Sequence, residues 1–308
     1  MKIGLIDVDG HNFPNLALMK ISAHYKNKGD SVNWVNAMEH YDKIYLSKVF
    51  TFTNDYITII NANEVIKGGT GYSLKTKLPE EIENQYPDYD LYNIKNTAYG
   101  YLTRGCPRNC KFCIVSEKEG LRSVKVSNLE SFWNNQKEIK LLDPNILACD
   151  QHLDLLDQLS KSKAWIDFTQ GFDCRFLRKE NIEKILSCKI KILHFAWDDK
   201  EDETKIIKKL ELFNKYCNFN MRKKRVYILT NFNTSFDYDL YRIKVLKKLN
   251  YDPYVMIYDK DKCATKYKHL QRYVNSKFIF YSAKNYNEYR AYLYSKNTSI
   301  NSNQLSIF

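Results

Sequence analysis

Short apolar runs alternate with helix-like stretches along most of this chain, and that rhythm constrains its fold more than any other feature. The opening "KIGLID" is apolar and ends in a polar loop, as a buried parallel strand does. "LALMKISAHYKNKG" follows with helical spacing and closes on Gly29, a residue type suited to a helix C-cap. "DSVNWV" and "KIYLSKVF" read as the next two strands, and "YITIINANEVIKGG" as another before Gly68 and Gly69. This alternation predicts a small doubly wound parallel sheet over 1–77. The polar, Pro-containing "LPEEIENQYPDYDLYNI" reads as a linker over 78–95.

The rhythm then resumes. Strands are expected at "AYGYLT", "NILAC", "AWIDFT", "KILHFA", "RVYILT" and "YVMIY", with helices over 127–140, 152–163, 178–188, 200–216 and 236–249. Six β/α steps over 96–260 predict a partial (β/α)6 TIM-like barrel, so the class is α/β throughout. Residues 261–308 are expected to form an extension packed on the barrel. It holds one helix in "KYKHLQRYVNSK", then "FIFYSA", a short helix and a polar tail.

In such barrels function gathers where strands end. The first strand runs into a cysteine-rich loop, and the second ends at Cys149-Asp150-Gln151. The third ends in "QGFDCR", with Asp173 and Arg175, and the fifth at Thr230-Asn231. Polar groups at these exits are what a pocket requires, and also what exposed strand ends carry in any case.

No apolar run reaches the ~18 residues of a membrane helix, so no membrane partner is expected. Asp7 and Asp9 fall where a signal peptide would be apolar, which argues for a cytoplasmic protein with reduced thiols. Closely grouped cysteines then point to metal or redox chemistry before disulfides. The formal net charge is +12, which permits a nucleic acid or another polyanion as partner. Twelve Lys and Arg lie between Lys205 and Lys248 against three acidic residues. Such a run also describes a solvated helix face.

The loop "TRGCPRNCKFC" places Cys106, Cys110 and Cys113 within eight residues. Thiolates suit zinc or iron–sulfur clusters. A structural zinc site wants four ligands, commonly in two close pairs, and this loop has three with no histidine beside them. Nor is it a ferredoxin run of C-x2-C-x2-C-x3-C-P. Three cysteines can hold three irons of a cubane and leave the fourth open to another molecule. Gly105 and Pro107 let the chain turn closely. Arg104, Arg108 and Lys111 can offset cluster charge, and Phe112 can shield one face.

C-x3-C-x2-C after the first strand of a β/α barrel resembles the radical S-adenosylmethionine (SAM) enzymes, over about residues 96–260. The resemblance implies that Cys106, Cys110 and Cys113 ligate a [4Fe-4S] cluster and that the SAM amine and carboxylate chelate its open iron. One electron then cleaves SAM to a 5′-deoxyadenosyl radical, which abstracts hydrogen from a substrate. A reductant such as flavodoxin or ferredoxin is implied as partner. The family's Gly-Gly-Glu at the second strand end is not found; Asp150 stands as candidate for the SAM amine, with Phe112, Asp173, Arg175 and Asn231 as further candidate SAM contacts. The loop wording is closest to the methylthiotransferase branch and to the branch carrying a cobalamin-type domain. No cysteine precedes Cys106, which disfavours methylthio transfer and leaves a radical enzyme of unassigned substrate, with methyl transfer to RNA or another anionic substrate as one form of it.

The N-terminal "DVDGHNFP" is similar to the D-x-H-x-x-G loop of cobalamin-binding domains. That resemblance implies His11 as lower cobalt ligand, Asp9 as its hydrogen-bonded support, and Ser47, Gly68 and Gly69 beside the nucleotide tail. Pro14 replaces the family glycine and Val49 the leucine, so the alternative is a retained fold without the vitamin. Two non-enzymatic readings also stand: an electron-transfer or sensor protein whose cluster is completed by Cys149 or another group, and a nucleic-acid-binding module with a structural cluster.

Overall fold

The computed structural model describes residues 1–290, which divide into two compact units. The first comprises residues 1–170 and 184–190, the second 171–183 and the residues from 191 onward. The expected polar tail lies outside the described residues.

In the first unit, β1 (Lys2–Asp7), α1 (Leu16–Asn27), β2 (Ser31–Trp34), β3 (Tyr41–Ser47) and β4 (Ala62–Gly68) build a four-stranded parallel sheet in the order β2-β1-β3-β4. The apolar run at its start is buried on both faces. Ile3 and Leu5 pack with Leu18, Ile21 and Tyr25 of α1, while Ile6 packs with Tyr41, Ile44 and Leu46. Asn15 begins α1 because its Oδ1 accepts from Leu18 N, satisfying one of the unpaired amides of the first turn. Gly29, at φ +82°, lies just past the helix end, where a left-handed residue is favoured.

The segment over 78–95 is no bare linker. It contains the one-turn α2 (Glu80–Glu83), and it buries Ile82 and Tyr89. Tyr89 Oη donates to Phe132 O at 2.6 Å and accepts from Tyr99 N at 3.0 Å. Its polar letters hide three buried residues, Ile82, Pro87 and Tyr89, whose spacing forms no period.

Next come β5 (Thr97–Gly100), β6 (Thr103–Arg104), α3 (Val115–Glu119), β7 (Val124–Lys125), β8 (Glu138–Leu141), α4 (His152–Ser162) and β9 (Trp165–Phe168). The expected helix over 127–140 is absent. Asn135, at φ 63°, breaks the path, and "EIKL" alternates in burial as a strand. β8 is therefore the next strand of the larger sheet after the cysteine loop and its β6–β7 ribbon, and "NILAC" is a 3-10 turn over Ile146–Ala148.

Beyond β9 lie α5 (Lys179–Ser187), β10 (Lys189–Ala196), α6 (Glu203–Tyr216), β11 (Lys224–Thr230), α7 (Phe236–Lys248), β12 (Asp252–Ile257), α8 (Thr265–Asn275) and α9 (Lys277–Ser282). The six-stranded sheet has the order β12-β11-β10-β9-β8-β5. In the second unit β10, β11 and β12 are parallel, and Phe195, Val226, Ile228 and Val255 are buried. The protein is thus mixed α/β with two parallel sheets. Among the described residues no helix is long and apolar enough to cross a membrane.

Candidate functional site

The cysteine loop closes on a short antiparallel ribbon in the first unit. β6 pairs with β7, Thr103 opposite Lys125 and Arg104 opposite Val124, and the loop runs out between them. Gly105 has φ +85°, and a Cβ there would meet Arg122 O at 2.1 Å, so no other residue fits without moving backbone. Gly105 N donates to Glu119 Oε2 at 3.1 Å, and Arg104 Nη1 to Glu119 Oε1 at 2.9 Å. Cys106 N donates to Gly120 O at 3.1 Å. A turn joins the other two cysteines, with Cys113 N donating to Cys110 O at 2.9 Å.

Cys106 and Cys110 are half-buried and Cys113 is exposed, whereas Cys149, Cys174, Cys188, Cys217 and Cys263 are all buried. Burial pushes the thiols of Cys174 and Cys188 up to about 12 and raises Cys149 and Cys217 as well. Since thiolates are the metal ligands, the loop holds the accessible set. Among the described residues no three His, Cys, Asp or Glu side chains converge as ligands of a single ion. A cubane spaces its thiolates more widely than a single ion does, one on each iron, although all of them must face the same cluster. Three thiols presented on one loop fit that donor set.

The stretch just after β8 grips both ends of this loop. Asp143 is buried and accepts from Leu102 N at 3.0 Å, Thr103 N at 2.5 Å and Thr103 Oγ1 at 2.6 Å. Those three donors favour the carboxylate, yet burial outweighs them and pushes Asp143 up to about 7. Two residues on, Asn145 O accepts from Ser123 Oγ at 2.9 Å, and Asn145 Nδ2 lies 3.5 Å from Cys106 Sγ. Sequence reasoning missed Asp143 and Asn145 because a helix expected through 140 hid the strand whose exit they occupy. The alternation in "EIKL", with Leu142 and then Asp143-Pro144 after it, was the available signal.

Of the other candidates, Phe112 is half-buried on the loop and Asp150 is exposed before α4. Asp173, Arg175 and Asn231 lie in the second unit. Arg175 Nε and Nη2 reach the two oxygens of Asp173 at 2.6 and 3.0 Å, and Nη1 pairs with Asp202. That charge is already compensated within the unit. Asn231 sits at φ 62°, a conformation Asn tolerates, and its Nδ2 donates to Tyr258 O at 2.8 Å.

The N-terminal motif is engaged by the chain itself. Asp9 accepts from Val49 N, from Phe50 N at 3.3 Å and from Thr53 Oγ1 at 2.5 Å, with no bond to His11. The exposed His11 ring rests 4.3 Å from the Trp34 ring and 5.6 Å from that of Tyr92. Ser47 accepts from Asn15 Nδ2 at 2.8 Å. A Cβ on Gly69 would meet Lys48 O at 2.3 Å, so a close backbone approach explains that glycine. Gly68 differs: its nearest neighbour would be Thr76 at 3.8 Å.

Gly68 also lines a cavity of about 1010 Å³ within this unit. Lys20, Lys67 and Lys77 border it together with Arg104, Lys118 and Glu119 of the cysteine-loop region. Lys20 is paired with Glu83 at 2.8 Å, whereas Lys118 Nζ donates to Thr70 Oγ1 at 3.2 Å and is lowered by burial. In the second unit the basic run is not all surface, because Lys224 and Arg242 are buried. No protein-family model matches the chain, and no curated protein is significantly similar to it.

Proposed function

We propose that this protein is a radical SAM enzyme whose cluster is held by Cys106, Cys110 and Cys113. The observation that carries the reading is the contrast in access among the cysteines: three stand on one ribbon-closed loop, and the other five are buried. The strands of the second sheet follow chain order, β5-β8-β9-β10-β11-β12, which is the order a partial six-step barrel has. When bound, the cluster and SAM supply a 5′-deoxyadenosyl radical for hydrogen abstraction.

The chain's own residues present and support the thiols. Glu119 holds Arg104 and Gly105 at the loop's start, and Asp143 anchors Thr103. Cys149 is buried with its thiol raised, so it is poorly placed as a fourth thiolate, which favours an open iron for SAM. With β8 as the second strand, Asp143 and Asn145, and not Asp150, stand at its exit. The cavity is lined by Lys20, Lys67, Lys77, Arg104 and Lys118 against Glu83 and Glu119, and this positive excess suits an anionic substrate, methyl transfer to RNA among the candidates, in keeping with the net charge of +12. Asp9 would have to support His11 for a cobalt ligand and bonds residues 49–53 instead. No step is therefore routed through a cobalamin.

The test is anaerobic reconstitution with iron and sulfide, reduction, and assay for 5′-deoxyadenosine from SAM. A chain with a full cluster that cleaves no SAM overturns the enzyme reading. A cluster signal that SAM leaves unchanged points instead to electron transfer or sensing.

A further inference from the structure

We propose that Asn145 is a positioning residue for the cluster, donating an N–H···S hydrogen bond to Cys106 and raising the cluster's reduction potential. The inference rests on the cluster reading above and goes beyond it, since nothing in that reading requires a side-chain donor at any thiolate.

Asn145 is 1% exposed. Burying an amide costs stability for each of its groups left unsatisfied. Its Oδ1 is buried with no hydrogen-bond partner among the described residues, and the 3.5 Å approach of Nδ2 to Cys106 Sγ is the bond its side chain makes. A carboxamide is a costly choice for this position if packing alone were at stake. Turning the amide over would set Oδ1 against the sulfur, acceptor against acceptor once Cys106 is a thiolate, and strand Nδ2. The orientation present is the one that serves a thiolate.

The backbone around Asn145 holds it there. Its carbonyl accepts from Ser123 on the returning side of the loop, while Asp143 accepts from Leu102 and Thr103 on the outgoing side. The amide is thus fixed between the two arms that carry Cys106. Charge on the ligating sulfurs grows when a cluster is reduced, so a fixed donor in a low-dielectric setting stabilises the reduced state more than the oxidised one.

The experiment compares reconstituted wild-type chain with Asn145→Leu and Asn145→Asp, measuring iron and sulfide content and the midpoint potential by redox titration with electron paramagnetic resonance. Both variants are expected to carry the cluster at wild-type content. Their reduction equilibrium should fall on the order of tenfold, about 59 mV for one electron, with Asn145→Asp the lower of the two. Full clusters with unchanged potential in both variants overturn the proposal. If the variants do not fold, wild-type chain labelled with ¹⁵N-asparagine decides the matter. A nitrogen hyperfine coupling in the reduced cluster supports the hydrogen bond, and its absence overturns it. Wild-type chain that takes up no iron and sulfide sinks the cluster reading first, and this inference with it.

Discussion

Two loops of the first unit follow strands and carry motif-like residues, and the structure treats them differently. In the loop after β1, Asp9 spends its oxygens on residues 49–53, and His11 lies against two aromatic rings. In the cysteine loop the backbone is tied down by Glu119 and Asp143, but the thiols stay accessible and a buried amide beside them keeps an unused acceptor. A motif whose groups satisfy one another explains itself as structure. A motif whose backbone is tied down while its thiols are not buried is the better candidate for a site.

The largest expected effect is at the thiols. Cys113→Ala should abolish both cluster retention and SAM cleavage while leaving thermal stability near wild type, because Cys113 is exposed. Iron and sulfide content with a melting curve checks this, and a variant that retains a full cluster would break the contrast between the loops.

Asp143 comes next. The folded chain keeps its proton up to about pH 7, against an ordinary value of 3.8. Between these the folded state binds more protons than the unfolded state. Stability from this group is therefore complete below pH 3.8 and is lost as the pH rises through about 7. Relative to Asp143→Asn, wild type should lose on the order of 4 kcal/mol across that window. Denaturant unfolding of both chains from pH 4 to 8 measures it, and parallel profiles would refute it.

In the N-terminal loop the effect should fall on stability alone. Asp9→Ala removes the acceptor for three donors and is expected to cost about 1–3 kcal/mol by urea unfolding, with cluster content unchanged. A lost cluster with stability intact would reverse the roles assigned to the two loops. A stability effect alone is also expected at Asn15→Ala, about 1–2 kcal/mol for the lost helix cap and the lost bond to Ser47, again without change in iron content.

Much of the fold was legible in the sequence. Runs such as "KIGLID", "RVYILT" and "KILHFA" are long enough and apolar enough that only a buried strand accounts for them, and α1, α4, α6, α7 and α8 show their period. The exceptions were short. β8 has four residues, two of them charged, and local letters do not separate it from a helix; pairing with β5 and β9 does. The segment over 78–95 looked like a linker because Ile82 and Tyr89 are isolated among polar neighbours and are buried only by distant partners.

The same division runs through the candidate site. Cysteine count and spacing are properties of the chain, so the sequence by itself determined that one loop carries three soft ligands and lacks a fourth. Tertiary structure alone decided which polar groups meet that loop. Asn145 lies 39 positions beyond Cys106, and Asp143 40 beyond Thr103. They arrive only because β8 lies beside β5 in the folded sheet. Burial, too, belongs to the fold: it sets five cysteines apart from the three on the loop.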